Sequence, residues 1–299
     1  MKKVLSLVLM LFLVVGLSAC NADSTPTKSM TIGFAASTFT NPFFNDIKEG
    51  IESVLEGSGY TLVSLGADND AAKQASQIED LITQKVDIIL LNPVDSTTVG
   101  TKIVEANAAG IPVITVDRSA DSGEVVAHVA SDNVLGGKMA GEFLKSFFAA
   151  DFKVLELLGQ PGASAAIDRS KGFQEVFGAG NINQSITANW SRAEGQSVTE
   201  AFLSAQANPA KVLVFAANDE MALGAVQALM ASTFVTEYKV VGFDAIDDAV
   251  QAVNDGTMEA TVAQQPFEIG VQAAQAALDH LSGNAVEKNI PVELALIKR

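Results

Sequence analysis

The residues best suited to chemistry in this chain stand just past short apolar runs. Ser37-Thr38-Phe39-Thr40-Asn41-Pro42-Phe43-Phe44 follows the first run, Asn92-Pro93 the third and Asp117-Arg118 the fourth. In the second half, Arg169 is expected in the first turn of a helix after the 159–162 glycine loop, and Trp190 ends an apolar run. Asn218-Asp219-Glu220, Asp244 and Gln264 complete the set. Together they offer aromatic faces, amides, carboxylates and guanidiniums. A hydroxylated ring requires just this: flat surfaces for its C–H faces, and donors and acceptors for its hydroxyls. Asp117 and Asp244 offset Arg118 and Arg169, so the centre of the set is near-neutral. A phosphorylated ligand would meet both carboxylates and be repelled. Charged groups hydrogen-bond hydroxyls more strongly than neutral ones, so a neutral pentose or similar small polyol is the expected ligand class.

The same residues make a poor catalytic centre. His128 and His280 both lie outside the set, so no Ser–His or Cys–His pair is evident. Asp117 and Asp244 match a glycosidase pair in type, but the two arginines would keep both ionised and leave no general acid. No G-x-G-x-x-G follows the first run; Gly136-Gly137 and Gly141 have the wrong spacing, and Gly159-x-x-Gly162 alone is a weak signal. Plainer roles are open to several residues. Phe43 or Phe44 can belong to the core, and Asp117-Arg118 can be a surface ion pair worth little. Asn218 can cap a helix as well as bind. His128 reads as structural, and His280 as a favourable cation at a helix end.

The elements that must position these residues alternate regularly. Strands are expected at 31–36, 61–65, 87–91 and 112–116, with helices at 43–55, 71–84 and 97–109. Within 43–55, Phe44, Ile47 and Ile51 recur at helical spacing, and Gly57 and Gly59 stop the helix. The rhythm restarts with strands at 153–158, 185–190, 211–215, 239–243 and 260–263. Helices are expected there at 134–148, 166–177, 197–205, 220–230, 245–254 and 266–281. This alternation predicts an α/β chain of two doubly wound parallel-sheet lobes, in which ligands bind beyond the carboxyl ends of the strands.

At 299 residues the chain exceeds what one hydrophobic core usually organises. Its 48% apolar and 18% charged composition excludes disorder. A formal charge of −16 without a basic run argues against nucleic acid as a partner. One cysteine excludes a disulfide framework and a cysteine-based zinc site within the chain. That cysteine has another role open to it. Lys2-Lys3, an apolar stretch at 4–15 and Leu17-Ser18-Ala19-Cys20 form the layout of a secretory signal, too short to span a membrane. Cys20 stands where a bacterial lipoprotein signal places its acylated thiol. Residues 1–19 are expected to be cleaved, taking two positive charges with them, and residues 20–29 to form a flexible tether. Two or three acyl chains, at about 0.8 kcal/mol per buried methylene, would hold the protein on a membrane.

In order and spacing, NPFF (41–44), NPVDS (92–96), ITVDR (114–118) and GEVVAHVASDNVLGGKMAG (123–141) resemble the periplasmic sugar-binding proteins. SAAIDRSKGF (164–173), FAANDEMALGA (215–225), VVGFD (240–244) and TVAQQP (261–266) continue the resemblance, which runs from about residue 30 to 299 and points to the ribose-binding branch. These proteins are the solute receptors of ATP-driven importers. The resemblance implies a monomer without a cofactor and with three hinge crossovers, placed near 131, 264 and 293. The N-terminal lobe would be 30–131 plus 265–293, and the C-terminal lobe 132–264 plus 294–299. It assigns the sugar site to Ser37, Asn41, Phe43, Phe44, Asn92, Asp117, Arg118, Arg169, Trp190, Asn218, Asp244 and Gln264. D-ribose is the implied ligand, an importer permease with its ATPase the implied partners, and a chemoreceptor a further partner known in the family. Two departures stand out. Trp190 replaces the phenylalanine of the ribose receptors, and the lipid-type signal contrasts with the soluble periplasmic members. A sensor for the furanose-like signal autoinducer-2 is the alternative, with a carbohydrate-active enzyme behind it. Sugar-responsive repressors share the fold, but here an export signal and a short tether precede the first strand.

Overall fold

The computed structural model describes residues 30–299, so the expected leader, Cys20 and the rest of the tether lie outside the described residues. Side-chain alternation along β1 (Thr31–Ala36) shows how the first sheet is buried on both faces. Ile32, Phe34 and Ala36 enter one core, whereas Ala35 enters the opposite one. The chain continues through α1 (Pro42–Leu55), β2 (Thr61–Gly66), α2 (Ala71–Gln84), β3 (Ile88–Leu91), α3 (Gly100–Ala108), β4 (Val113–Val116) and β5 (His128–Ser131). The second unit holds α4 (Asn133–Lys145), β6 (Lys153–Leu158), α5 (Ser164–Phe177), β7 (Gln184–Thr187), α6 (Arg192–Ala205), β8 (Lys211–Ala216), α7 (Asp219–Ala231), β9 (Glu237–Asp244), α8 (Asp247–Asp255) and β10 (Ala260–Ala263). The chain ends with α9 (Pro266–Leu281), β11 (Asn289–Val292) and β12 (Ala295–Lys298).

Two six-stranded sheets result, in the orders β11-β5-β4-β3-β1-β2 and β12-β10-β9-β8-β6-β7. Every pairing is parallel except β10 with β12. Helices cover both faces of each sheet. In the first lobe α1 and α9 lie on one face, with α2 and α3 on the other. In the second lobe α6, α7 and α8 oppose α4 and α5. The chain passes between the sheets after β5, after β10, and between β11 and β12.

The elements differ from the sequence reading at several ends, each for a local reason. Helix α3 starts at Gly100 rather than 97, because Asp95 Oδ1 accepts from the amides of Thr97 (3.0 Å) and Thr98 (2.7 Å) and holds a turn there. Helix α6 starts earlier than expected, with Ser191 as its cap. Strand β7 ends at Thr187, not at Trp190, because Asn189 (φ 48°) and Trp190 (φ 63°) are both left-handed. Strands β11 and β12 had no counterpart in the sequence reading. Each has four residues, β11 contains Pro291, and both exist only through pairing with distant strands.

The lobes touch directly. Ser96 N–H donates to Gly162 O (2.9 Å), Ser164 N–H to Ser96 Oγ (3.2 Å) and Ser119 N–H to Ser164 Oγ (2.9 Å). Gln160 Nε2 donates to Asn69 O (3.2 Å). The two halves are therefore closed on each other around whatever lies between them.

Candidate functional site

The first half of the site is built by turns after β1, β3 and β4. Asn41 caps α1, its Oδ1 accepting from Phe43 N (3.0 Å), and Pro42 occupies the first helical turn. This fixes the helix start, so that Phe43 and Phe44 meet edge to face with centroids 5.2 Å apart. Asp117 follows β4 directly with φ 62°, a left-handed conformation costly for a non-glycine residue. Asn92, after β3, ties the turn down from behind. Its Nδ2 donates to Val116 O (3.0 Å) and Asp117 Oδ2 (3.1 Å), and its Oδ1 accepts from Ser37 N (3.1 Å). Arg118 donates from Nη1 to Pro93 O (3.1 Å), and its Nε lies 3.7 Å from Asp117 Oδ2.

The second half repeats the plan from β8, β9 and β10. Asp244 closes β9 with φ 113°, and Gln264 Nε2 donates to its Oδ1 (2.8 Å). Arg169 donates from Nη1 to Ala217 O (2.7 Å) and to Asp244 Oδ1 (3.3 Å), and from Nε to Asn133 Oδ1 (2.8 Å). Its guanidinium also lies 3.8 Å from the Phe243 ring centroid. Arg169 sits in the second turn of α5, not the first, because that helix begins at Ser164. Helix α4 reaches its backbone closely: a Cβ on Gly137 would strike Arg169 O, and one on Gly172 would strike Val134 O. Asn218 caps α7 through Oδ1 (Met221 N, 3.0 Å) while its amide group faces Trp190 O (3.5 Å). The Trp190 ring rests against Gly159, where a side chain would collide with it.

Both halves open onto one cavity of about 250 Å³. That is below the roughly 300–1,000 Å³ of sites for drug-sized ligands, so the occupant is small. Nine of the twelve expected residues line it: Asn41, Phe43, Phe44, Asp117, Arg118, Arg169, Trp190, Asn218 and Asp244. Ser37, Asn92 and Gln264 do not line it; all three are buried, and Asn92 and Gln264 hold the lining carboxylates. The wall also contains Thr38, Thr40, Asn69, Ala165, Asn189, Ser191, Arg192 and Glu220, which were not assigned from sequence. Thr38, Thr40 and Glu220 lay within stretches already singled out. Arg192 was overlooked; it pairs with Glu220 (2.8 Å) and Asp248 (2.8 Å) at the rim.

Electrostatics follow from burial. Asp244 is pushed up to about 6 by burial, against the pull of Arg169. Arg118 is pushed down to about 10 by burial, with Asp117 opposing, and stays charged at neutral pH. Asp117 Oδ1, Arg118 Nε and Trp190 Nε1 are buried and have no hydrogen-bond partner among the described residues. The guanidinium of Arg118 lies between aromatic faces, 5.5 Å from the Phe44 centroid and 5.4 Å from that of Trp190 in the other lobe. His128 is outside the wall, within reach of Thr115 Oγ1 (3.0 Å), and burial lowers its pKa. Among the described residues no group of three or more His, Cys, Asp or Glu is placed to hold a metal, and no helix is long and apolar enough to cross a membrane.

Comparison with known proteins places this geometry. The ribose import binding protein of Bacillus subtilis (strain 168) is 43% identical over 308 aligned residues, covering 99% of both chains. That of Escherichia coli (strain K12) is 43% identical, covering 95% of both. The periplasmic binding component of the arabinose ABC transporter of Shewanella sp. ANA-3, solved with α- and β-L-arabinofuranose, superposes with a TM-score of 0.83 at 31% identity, over 90% of this chain and 92% of that one. Residues 32–285 match the family described as periplasmic binding protein domain, and the chain belongs to that family.

Proposed function

We propose that this protein is the extracytoplasmic receptor of an ATP-driven sugar importer, and that it captures D-ribose between its lobes. One observation carries the reading. Buried donors and acceptors from both lobes converge on a small cavity between aromatic rings, and Asp117 Oδ1, Arg118 Nε and Trp190 Nε1 lack partners of their own. Unpaired buried polar groups are costly, and a ring of hydroxyls satisfies such groups together. The pairing of each carboxylate with a guanidinium favours a neutral sugar over a sugar phosphate. The ribose-binding relatives support ribose over other monosaccharides.

The site residues proposed are the nine on the wall, with Ser37, Asn92 and Gln264 supporting them. The passages near 131, 264 and 293 serve as hinges between lobes 30–131 plus 265–293 and 132–264 plus 294–299. Ligand contacts made only in the closed form favour closure, and the closed form is what the permease recognises. Cys20 carries the lipid anchor. Fatty-acid labelling is expected in the native chain and absent in Cys20→Ser; labelling that persists in the variant contradicts the anchor.

Calorimetry tests the ligand. Pocket groups left without a hydroxyl partner cost about 1–3 kcal/mol each, so D-ribose is expected to bind at least tenfold more tightly than D-glucose or D-galactose. A hexose as the preferred ligand would sink the ribose assignment and leave the fold intact.

A further inference from the structure

Asp219 is a fully buried carboxyl group that takes no part in the cavity wall. It is the first residue of α7, next to the capping Asn218, and its carboxyl group lies against Ile246 after β9 and Thr261 of β10. Its Oδ2 accepts from Ile246 N (3.0 Å), and its Oδ1 accepts from Thr261 Oγ1 (2.7 Å). Thr261 Oγ1 in turn accepts from Ala245 N (3.2 Å). The two backbone amides held in this way are those that directly follow Asp244. They belong to a turn with consecutive left-handed residues, Asp244 at φ 113° and Ala245 at φ 60°. Such a turn persists only where its surroundings over-determine it. The space is shaped for the carboxyl group: a Cβ at Gly242 would collide with Asp219 Oδ1.

We propose that Asp219 and Thr261 are positioning residues that clamp the left-handed turn at 244–245, and thereby set the Asp244 carboxylate against Arg169 and the ligand. This rests on the sugar-receptor reading above. Neither residue touches the ligand; both act through the backbone on the residue that does. The clamp also has an electrostatic side. Burial raises the Asp219 pKa well above the usual carboxylate range, and the Asp244 charge raises it further. A proton held on Asp219 removes a like charge from behind Asp244. The charged groups facing Asp244 are then Arg169 from α5 in its own lobe, with Asp117 and Arg118 across the cleft; Gln264 is a neutral donor.

The test is a calorimetric titration of D-ribose, from pH 5 to 8, into the wild type, Thr261→Val, Thr261→Ser and Asp219→Asn. Thr261→Val keeps the shape but orphans the Ala245 amide, and is expected to weaken binding by about tenfold or more. Thr261→Ser restores the hydroxyl and is expected to bind close to wild type. Asp219→Asn keeps shape and an acceptor without the charge. Asparagine matches the neutral form of the carboxyl group, so this variant is expected to bind close to wild type with its acid loss of affinity at the wild-type pH. An acid limb moved to lower pH would show a charged Asp219 and contradict the electrostatic side. Should Thr261→Val lack a cooperative unfolding transition, Thr261→Ser decides: affinity about tenfold below wild type overturns the clamp. Wild-type affinity in Thr261→Val also overturns the proposal. The wild-type titration tests the ribose reading separately, and the variants are compared with whichever pentose or hexose the wild type binds.

Discussion

Arg118 and Arg169 hold equivalent stations in the two lobes, yet they are fastened very differently. Arg169 spends its donors within its own lobe, on Asn133, Ala217 and Asp244, and lies over Phe243. Among the described residues Arg118 makes one hydrogen bond, to Pro93 O, keeps its Nε without a partner, and reaches over to Trp190 of the opposite lobe. Both are almost completely buried. The difference teaches that Arg169 is held in place by its own lobe, whereas on the proposed reading Arg118 is completed by closure and ligand. On that reading, fixing Arg169 beforehand lowers the ordering cost of binding, while the unpaired Arg118 lets the ligand itself favour the closed form.

The largest expected effect breaks this comparison at its stronger end. Arg169→Met takes the Arg169 donor from Asn133 and Ala217 O and the ion-pair partner from Asp244, and loss of one partner of a buried pair costs about 3–5 kcal/mol. The unliganded variant should therefore unfold at clearly lower temperature by calorimetry, besides losing ribose affinity. Arg118→Met should separate the two properties. Asp117 keeps its bond from Asn92, its contact with Arg118 is long at 3.7 Å, and Arg118 leaves a single carbonyl behind, so stability should fall less than in Arg169→Met. Ribose affinity should fall by roughly 10- to 100-fold, as expected for a lost charged hydrogen bond of about 1.5–3 kcal/mol. Equal losses of stability in both variants would erase the distinction between the lobes.

A smaller effect concerns Asp244. Its pKa is raised to about 6, so between the ordinary value of 3.8 and about 6 the folded state holds a proton that the unfolded chain has already lost. Its contribution to stability therefore falls as pH rises through that window, and at pH 7 the ionised carboxyl group is destabilising by on the order of 3 kcal/mol relative to its protonated form. Asp244→Asn should raise the melting temperature of the unliganded protein at pH 7, lose that advantage near pH 4, and bind ribose weakly throughout. A lower melting temperature at pH 7 would show that the Arg169 pairing outweighs desolvation.

Much of this was legible in the sequence because parallel strands end together. Apolar runs such as 88–91 and 113–116 mark strands, and the polar residue after each must then face the same edge. What periodicity does not show is which polar residue faces the cavity and which stands behind it. Ser37, Asn92 and Gln264 follow strands as Asp117 does, but they do not line the cavity; burial shows this for Ser37, and burial with side-chain hydrogen bonds for Asn92 and Gln264. Arg192 escaped notice because its partners Glu220 and Asp248 are on other elements. Strands β11 and β12 have no core alternation of their own to betray them; their burial patterns are mostly exposed or intermediate. The tight turn before Trp190 was hidden because neither Asn189 nor Trp190 is a glycine.

The central claim is that one ligand is held from both lobes at once, and Trp190 tests it most directly. It is the only tryptophan of the chain, it lines the cavity from the second lobe, and it lies over Arg118 of the first. Ribose is expected to change its emission with the midpoint found by calorimetry. Trp190→Ala is expected to bind several-fold to hundreds-fold more weakly, since lost stacking adds about 0.5–1.5 kcal/mol to lost burial, and Trp190→Phe close to wild type. Unchanged emission on saturation, with equal ribose affinities in the wild type and both variants, would contradict a ligand held between the lobes.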